Sequence, residues 1–336
     1  MRRAMRSRMT RTAIDAACAV TRWAGAHRRV VTGAGTAATL GGLTVVLAGK
    51  WGQLAHAAVG ASPWLLGAAM ALHLGSLVAR SEAWHISVHA AGGTVARRRL
   101  YRAASVGYIG NIINGELGFA LRVAALRRTA PDEVPRVATL AATEVPLIVV
   151  EVTLATLTAF TLVGPLGLPW WAPLVAFGAM VAVTVALRRL VRRRTAGWRR
   201  GLLVLGDRRA CTRMAGFVTL AICGQIFRNW LMLQASGIHV SVFDATAVLI
   251  AVAVLGVLPV GPSVGAAAAV LILGAQGVAG VSAAGVMLTA TAAAGALVYA
   301  AWAYADNRWR QPSRVSVTDG RGPLIVTRPP AEANAP

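Results

Sequence analysis

An all-α, polytopic transmembrane helix bundle with two re-entrant broken-helix segments in inverted orientation is the fold class this sequence predicts. Three observations predict it. Apolar residues make up 56% of the 336 residues, and mean hydropathy is +0.60, above the soluble-domain average and indicative of chain that faces lipid. The basic residues are nearly all arginines, packed into short runs between long uncharged stretches. Two of the apolar stretches are interrupted by glycine, proline or asparagine, and irregular backbone at membrane depth is tolerated only where protein or a wet cavity surrounds it.

A net charge of +22 could mark a nucleic-acid binder. Its arrangement points instead to cytoplasmic loops facing anionic lipid, so no nucleic-acid partner is expected. Cys18, Cys211 and Cys223 lie far apart, which supports neither a disulfide framework nor a metal site.

Apolar stretches run near 31–49, 63–79, 137–163, 171–187, 214–236 and 283–305, with interrupted ones near 103–121 and 244–276. The opening segment, with Arg28-Arg29 and Ala55-His56-Ala57, could be taken for a cleaved twin-arginine signal. The stretch from Val30 to Gly49 is long enough to span, so an uncleaved first helix is favoured. Arginines crowd 1–29, 80–102, 122–136, 188–213 and 308–314 but are absent from 51–62, 164–170 and 237–243. The positive-inside rule places the first set in the cytoplasm and the second outside. Six full spans with both termini cytoplasmic follow, in a plasma membrane.

Parity then constrains the interrupted stretches. Arginines flank 103–121 on both sides, so this segment should dip in from the cytoplasm and return; 244–276 should do the same from outside. Gly107, Gly110, Asn111, Asn114, Gly115 and Gly118 break the first, and Gly256, Pro259, Gly261, Pro262 and Gly265 break the second. Helix, dip, helix at 63–163 is therefore repeated, inverted, at 214–305. Paired broken helices in inverted repeats point to a secondary transporter with its site near the midplane. Trp84 to Thr94 reads as a cytoplasmic interfacial stretch. The expected division is a basic cytoplasmic segment 1–30, a transmembrane domain 31–308 and a disordered cytoplasmic tail 309–336.

At its interrupted stretches the chain resembles the lysylphosphatidylglycerol synthase transmembrane, or flippase-like, family. Gly110-Asn111-Ile112-Ile113-Asn114-Gly115 through Gly118 to Arg122, then Ala142-Thr143-Glu144, fit the first-half pattern; Leu258-Pro259-Val260-Gly261-Pro262-Ser263-Val264-Gly265 and Gly277-Val278 fit the second. The resemblance covers about 30–308. It implies handling of an anionic phospholipid or a polyprenyl-phosphate-linked lipid, with membrane lipids and envelope-glycan enzymes as partners. The family's proline falls on Asn114, its acids on Phe119 and Ala268, and its helix arginine on Val145; these departures motivate a second reading, a non-transporting scaffold or regulator of envelope enzymes. About 30 residues follow the last helix, so lysyl-lipid synthesis by this chain is not expected.

Ionisable residues at membrane depth are costly, and each is a functional candidate. Glu116 lies in the first dip, Glu144 and Glu151 lie two turns apart on one helix face, and Arg228 lies on the helix near 214–236. Pro146 should kink the helix that carries the two glutamates. At about 1.5 Å per residue, Glu151 and Arg228 both sit roughly 22 Å from the cytoplasmic edge, which allows an ion pair between them. Gln225, Arg228, Asn229 and Met232 share a face, and arginine suits phosphate through its bidentate fork. That face with Arg122 can hold a lipid phosphate; alternatively Arg228 only neutralises Glu151. Asn111 and Asn114 either bind a headgroup or cap carbonyls of the broken helix. The turn with Pro259, Gly261, Pro262 and Gly265 serves helix breaking and close packing. His73 reads as an interhelical hydrogen-bonder. No nucleophile–base pair, metal cluster or cofactor loop is recognisable, and no enzymatic activity, metal or cofactor is expected.

Overall fold

A computed structural model describes residues 62–113, 115–193, 197–255, 272–273 and 281–309. The first expected helix, the tail, and Asn114, Pro259, Gly261, Pro262 and Gly265 lie outside the described residues, as does the Glu116 side chain.

The described residues are mostly helical, with no strand among them. Helix α1 is Pro63–Ala90, α2 Arg97–Ile113, α3 Gly115–Thr129 and α4 Val137–Thr158. After a 3-10 turn, Ala159–Leu162, come the short α5, Val163–Leu166, and α6, Ala172–Arg193. A 3-10 segment at Gly197–Leu205 leads to α7, Arg208–Ala235, α8, Val242–Leu255, and α9, Val281–Trp309. Among the described residues, the runs Val137–Leu166, Ala172–Val191, Arg208–Ala235 and Met287–Asn307 are long and apolar enough to cross a membrane.

Helix α1 runs well past the expected 63–79. Pro63 has no backbone donor to lose at the first turn, and nothing stops the helix before Gly92, whose φ of 91° is the left-handed value that a helix end needs. The amides of Gly92 and Gly93 close back onto His89 and Val88 carbonyls. Arg80 and Glu82 are thus not loop residues, and Trp84 to Ala90 is not a surface stretch: Trp84 and Val88 are fully buried. Positive-inside counting misplaced them because an arginine was taken to mark the helix end.

Helices α2 and α3 form an antiparallel hairpin. A Cβ on Gly107 would lie 2.8 Å from that of Arg122, and one on Gly110 would lie 2.7 Å from the Gly118 Cα. Only glycine allows backbones this close. The hairpin returns Arg127 and Arg128 to the end that carries Arg97, Arg98 and Arg99. The expected arginine-rich loop 188–213 contains an ordered segment, since Gly201, Leu202, Val204 and Leu205 of the 3-10 run are buried and a Cβ on Gly201 would overlap the Thr139 carbonyl of α4. Pro146 sits inside α4 without ending it.

Helices α1 and α7, both of 28 residues, pack on each other, and Gly224 faces Leu72 and Ser76. Two apolar clusters form around this pair. One gathers Trp84, Val88, Leu100, Leu126, Leu140, Val204 and Met214, toward the ends that bear arginine. The other gathers Ala69, Met232, Leu233, Val248, Ile272 and Leu288, toward the opposite ends. There Trp64, Trp170, Trp171 and Phe243 stand exposed where α1, α6 and α8 begin, an aromatic placement typical of a membrane–water boundary.

Candidate functional site

One face of α1 organises the polar groups. His73, Arg80, Trp84 and Ser87 follow spacings of seven, four and three, which keep them on one side of a helix. Together they reach α3, α4, α7 and α9.

Nearest the arginine-bearing end, Ser87 donates to the Thr143 carbonyl at 2.8 Å and the Trp84 indole N–H donates to the Thr143 hydroxyl at 3.2 Å. The Trp84 ring lies under the Arg122 guanidinium, 4.2 Å from ring centre to Cζ, while Phe119 flanks the same cation at 5.8 Å. Arg122 approaches Glu144 to 2.5 Å, off the axis of an aligned hydrogen bond, and its buried Nε has no hydrogen-bond partner among the described residues. Arg122 is therefore held by an aromatic face and a carboxylate, which is how a desolvated cation is stabilised.

Two turns on, Arg80 pairs with Glu151 at 2.5 Å. Glu144 and Glu151 lie two turns apart on one face of α4, so the two pairs form one ladder of alternating charge. Beside it, Ser81 meets the hydroxyls of Tyr108 at 3.1 Å and Tyr299 at 3.3 Å, and Tyr108 donates to the Leu77 carbonyl. That junction joins α1, the hairpin and α9.

The last rung differs. Arg228 of α7 is 8% exposed and bonds His73 Nδ1 at 3.1 Å and the Asn229 side-chain oxygen at 3.2 and 2.7 Å. His73 Nε2 meets the Ala292 carbonyl of α9 at 3.2 Å. His73 is thus an interhelical hydrogen-bonder, with room made by Gly295, where any Cβ would overlap the imidazole.

The ion pair allowed between Arg228 and Glu151 does not form: Glu151 binds Arg80 and Arg228 binds His73, and these two partners stand seven residues, about 10 Å, apart along α1, so the depths inferred from arginine spacing do not match. Arg122 is paired with Glu144. Asn111 lies against Gly118 across the hairpin, and Gln225 is half-buried one turn before Arg228. Sequence reading missed Arg80, Tyr108 and Tyr299. For Arg80 the available signal was the absence of any helix breaker between Pro63 and Gly92 apart from isolated glycines.

At the hairpin's open end, Glu82 receives hydrogen bonds from Arg97 at 2.7 Å and Tyr101 at 2.5 Å. Arg102 binds Asp306 at 2.5 Å and Asn307 at 2.9 Å. These contacts moor α2 to α1 and α9.

A sequence model of the family described as lysylphosphatidylglycerol synthase TM region matches residues 30–302. The chain belongs to this family. It is a multi-pass membrane protein of a lipid-related group, and the match covers the described bundle up to residue 302, within α9. No curated protein and no solved structure matched the chain.

Proposed function

We propose that this protein translocates an anionic phospholipid or a polyprenyl-phosphate-linked lipid, its headgroup passing along the polar face of α1. The observation that carries this is the row of charged and hydrogen-bonding side chains from Ser87 through Arg122–Glu144 and Arg80–Glu151 to Arg228. Charges at such depth are costly and are placed where a polar group must travel. A hairpin whose ends lie on one side, dipping in from the cytoplasm, would wall this path. Both termini are read as cytoplasmic and the membrane as the plasma membrane. No chemistry on the lipid forms part of the proposal.

Purified protein in phosphatidylcholine vesicles carrying trace fluorescent phosphatidylglycerol tests it. Dye-accessible lipid should redistribute between leaflets faster than in empty vesicles, and the double variant Arg80→Gln, Glu151→Gln should slow it at least tenfold. Redistribution no faster than in empty vesicles would sink the proposal.

One observation favours the second reading, a scaffold or regulator of envelope lipid and glycan enzymes. Phe119 stands where the family pattern has an acid, and packs on Arg122 within α3, leaving Glu144 as the carboxylate on that cation. Unchanged leaflet exchange together with retained partner capture would support that reading.

A further inference from the structure

We propose that Arg228, His73 and Asn229 form a binding site for one phosphate oxyanion, the ligand supplying a negative charge that none of the described side chains supplies. This rests on the reading that a lipid headgroup travels along α1, and names its outer stopping point.

Charge accounting carries the inference. Glu82, Glu133, Glu144, Glu151 and Asp306 are each engaged with an arginine. Asp207 caps α7, and Asp244 bonds Ser241. Among the described residues, no carboxylate stands within ion-pair distance of Arg228, and residues 256–280 contain no acid in their sequence. The partners of Arg228 are neutral. Asn229 offers an amide oxygen, and His73 accepts through Nδ1 while Nε2–H donates to Ala292, the tautomer in which both contacts are hydrogen bonds.

A guanidinium has five N–H donors, and three hydrogen bonds use three of them. Two donors remain without a described acceptor, on a side chain more than nine-tenths buried. A desolvated cation in this condition is costly unless an anion joins it. Its fork fits phosphate, and lipid phosphate is the abundant anion at a membrane surface. Arg228 lies seven residues from the end of α7 at Ala235, about 10 Å from that outer end, within reach of a headgroup inserted from there. His73 and Asn229 then act as positioning residues that hold the fork.

The test titrates a fluorescent short-chain phosphatidylglycerol onto the full chain in phosphatidylcholine nanodiscs, with inorganic phosphate as competitor. Wild type should bind saturably, Arg228→Gln at least tenfold more weakly and Arg228→Lys several-fold more weakly, because lysine keeps the charge but lacks the fork. Arg99→Gln, which removes equal charge at the exposed rim pair with Glu133, should bind as wild type. Displacement by phosphate identifies the oxyanion alone as sufficient, and lack of displacement identifies the lipid headgroup as required; both support the site. Wild-type affinity in Arg228→Gln overturns it, and should that variant not fold, wild-type affinity in Arg228→Lys does so. A protein that binds the probe yet moves no lipid fails the transport proposal while this site stands.

Discussion

The two halves of the α1 polar face solve the same physical problem differently. Toward the arginine-bearing end, Arg122 and Arg80 are neutralised by Glu144 and Glu151 and set among aromatic rings. Toward the other end, Arg228 is held by an imidazole and an amide, which satisfy hydrogen bonds but cancel no charge. A cation paired within the protein ties helices together. One given only neutral partners is positioned for an anion from outside.

The largest effect expected from this contrast is on stability. Glu144→Ala leaves Arg122 buried without its carboxylate and should cost about 3 kcal/mol, most of it recovered when Arg122→Ala is added. Thermal unfolding of both variants in nanodiscs checks this, and equal losses in the single and double variants would show that Arg122 is held by Trp84 alone. Next in size is the hairpin. Gly118→Ala would drive a Cβ into the Gly107 carbonyl and the Asn111 side chain and should cost about 1–3 kcal/mol by overpacking, separating α3 from α2. Loss of protection from hydrogen exchange confined to 97–129 is the expected signature. Smaller still is Ser81→Ala, which removes the hydroxyl joining Tyr108 and Tyr299 and should cost about 1 kcal/mol. The exposed pair Arg99–Glu133 sets the floor: Arg99→Ala should change stability by less than about 1 kcal/mol.

Much of the bundle was legible in the sequence because long apolar runs and arginine placement act locally. The ends of α4, α6 and α7 fall close to the apolar stretches, and Gly107, Gly110 and Gly118 marked the hairpin before its packing was seen. Partner choice was not legible. Counting residues from the nearest arginine put Glu151 and Arg228 level, but their partners Arg80 and His73 stand seven residues apart on α1, an offset set by how the helices are staggered, which periodicity does not encode. Arg80 was lost for a different reason: orientation rules treat every arginine near a span's end as a loop residue, whereas a helix continues until something breaks it. The turn around Pro259 and Pro262 lies outside the described residues.

The contrast between paired and unpaired cations is tested most directly by comparing thermal stability in phosphatidylcholine nanodiscs with that in nanodiscs containing phosphatidylglycerol. Wild type should gain stability from the anionic lipid; Glu144→Gln should be less stable in both lipids yet keep that gain, and Arg228→Gln should lose it. A wild-type gain in Arg228→Gln, or its loss in Glu144→Gln, would contradict the assignment of Arg228 as the rung that a ligand completes.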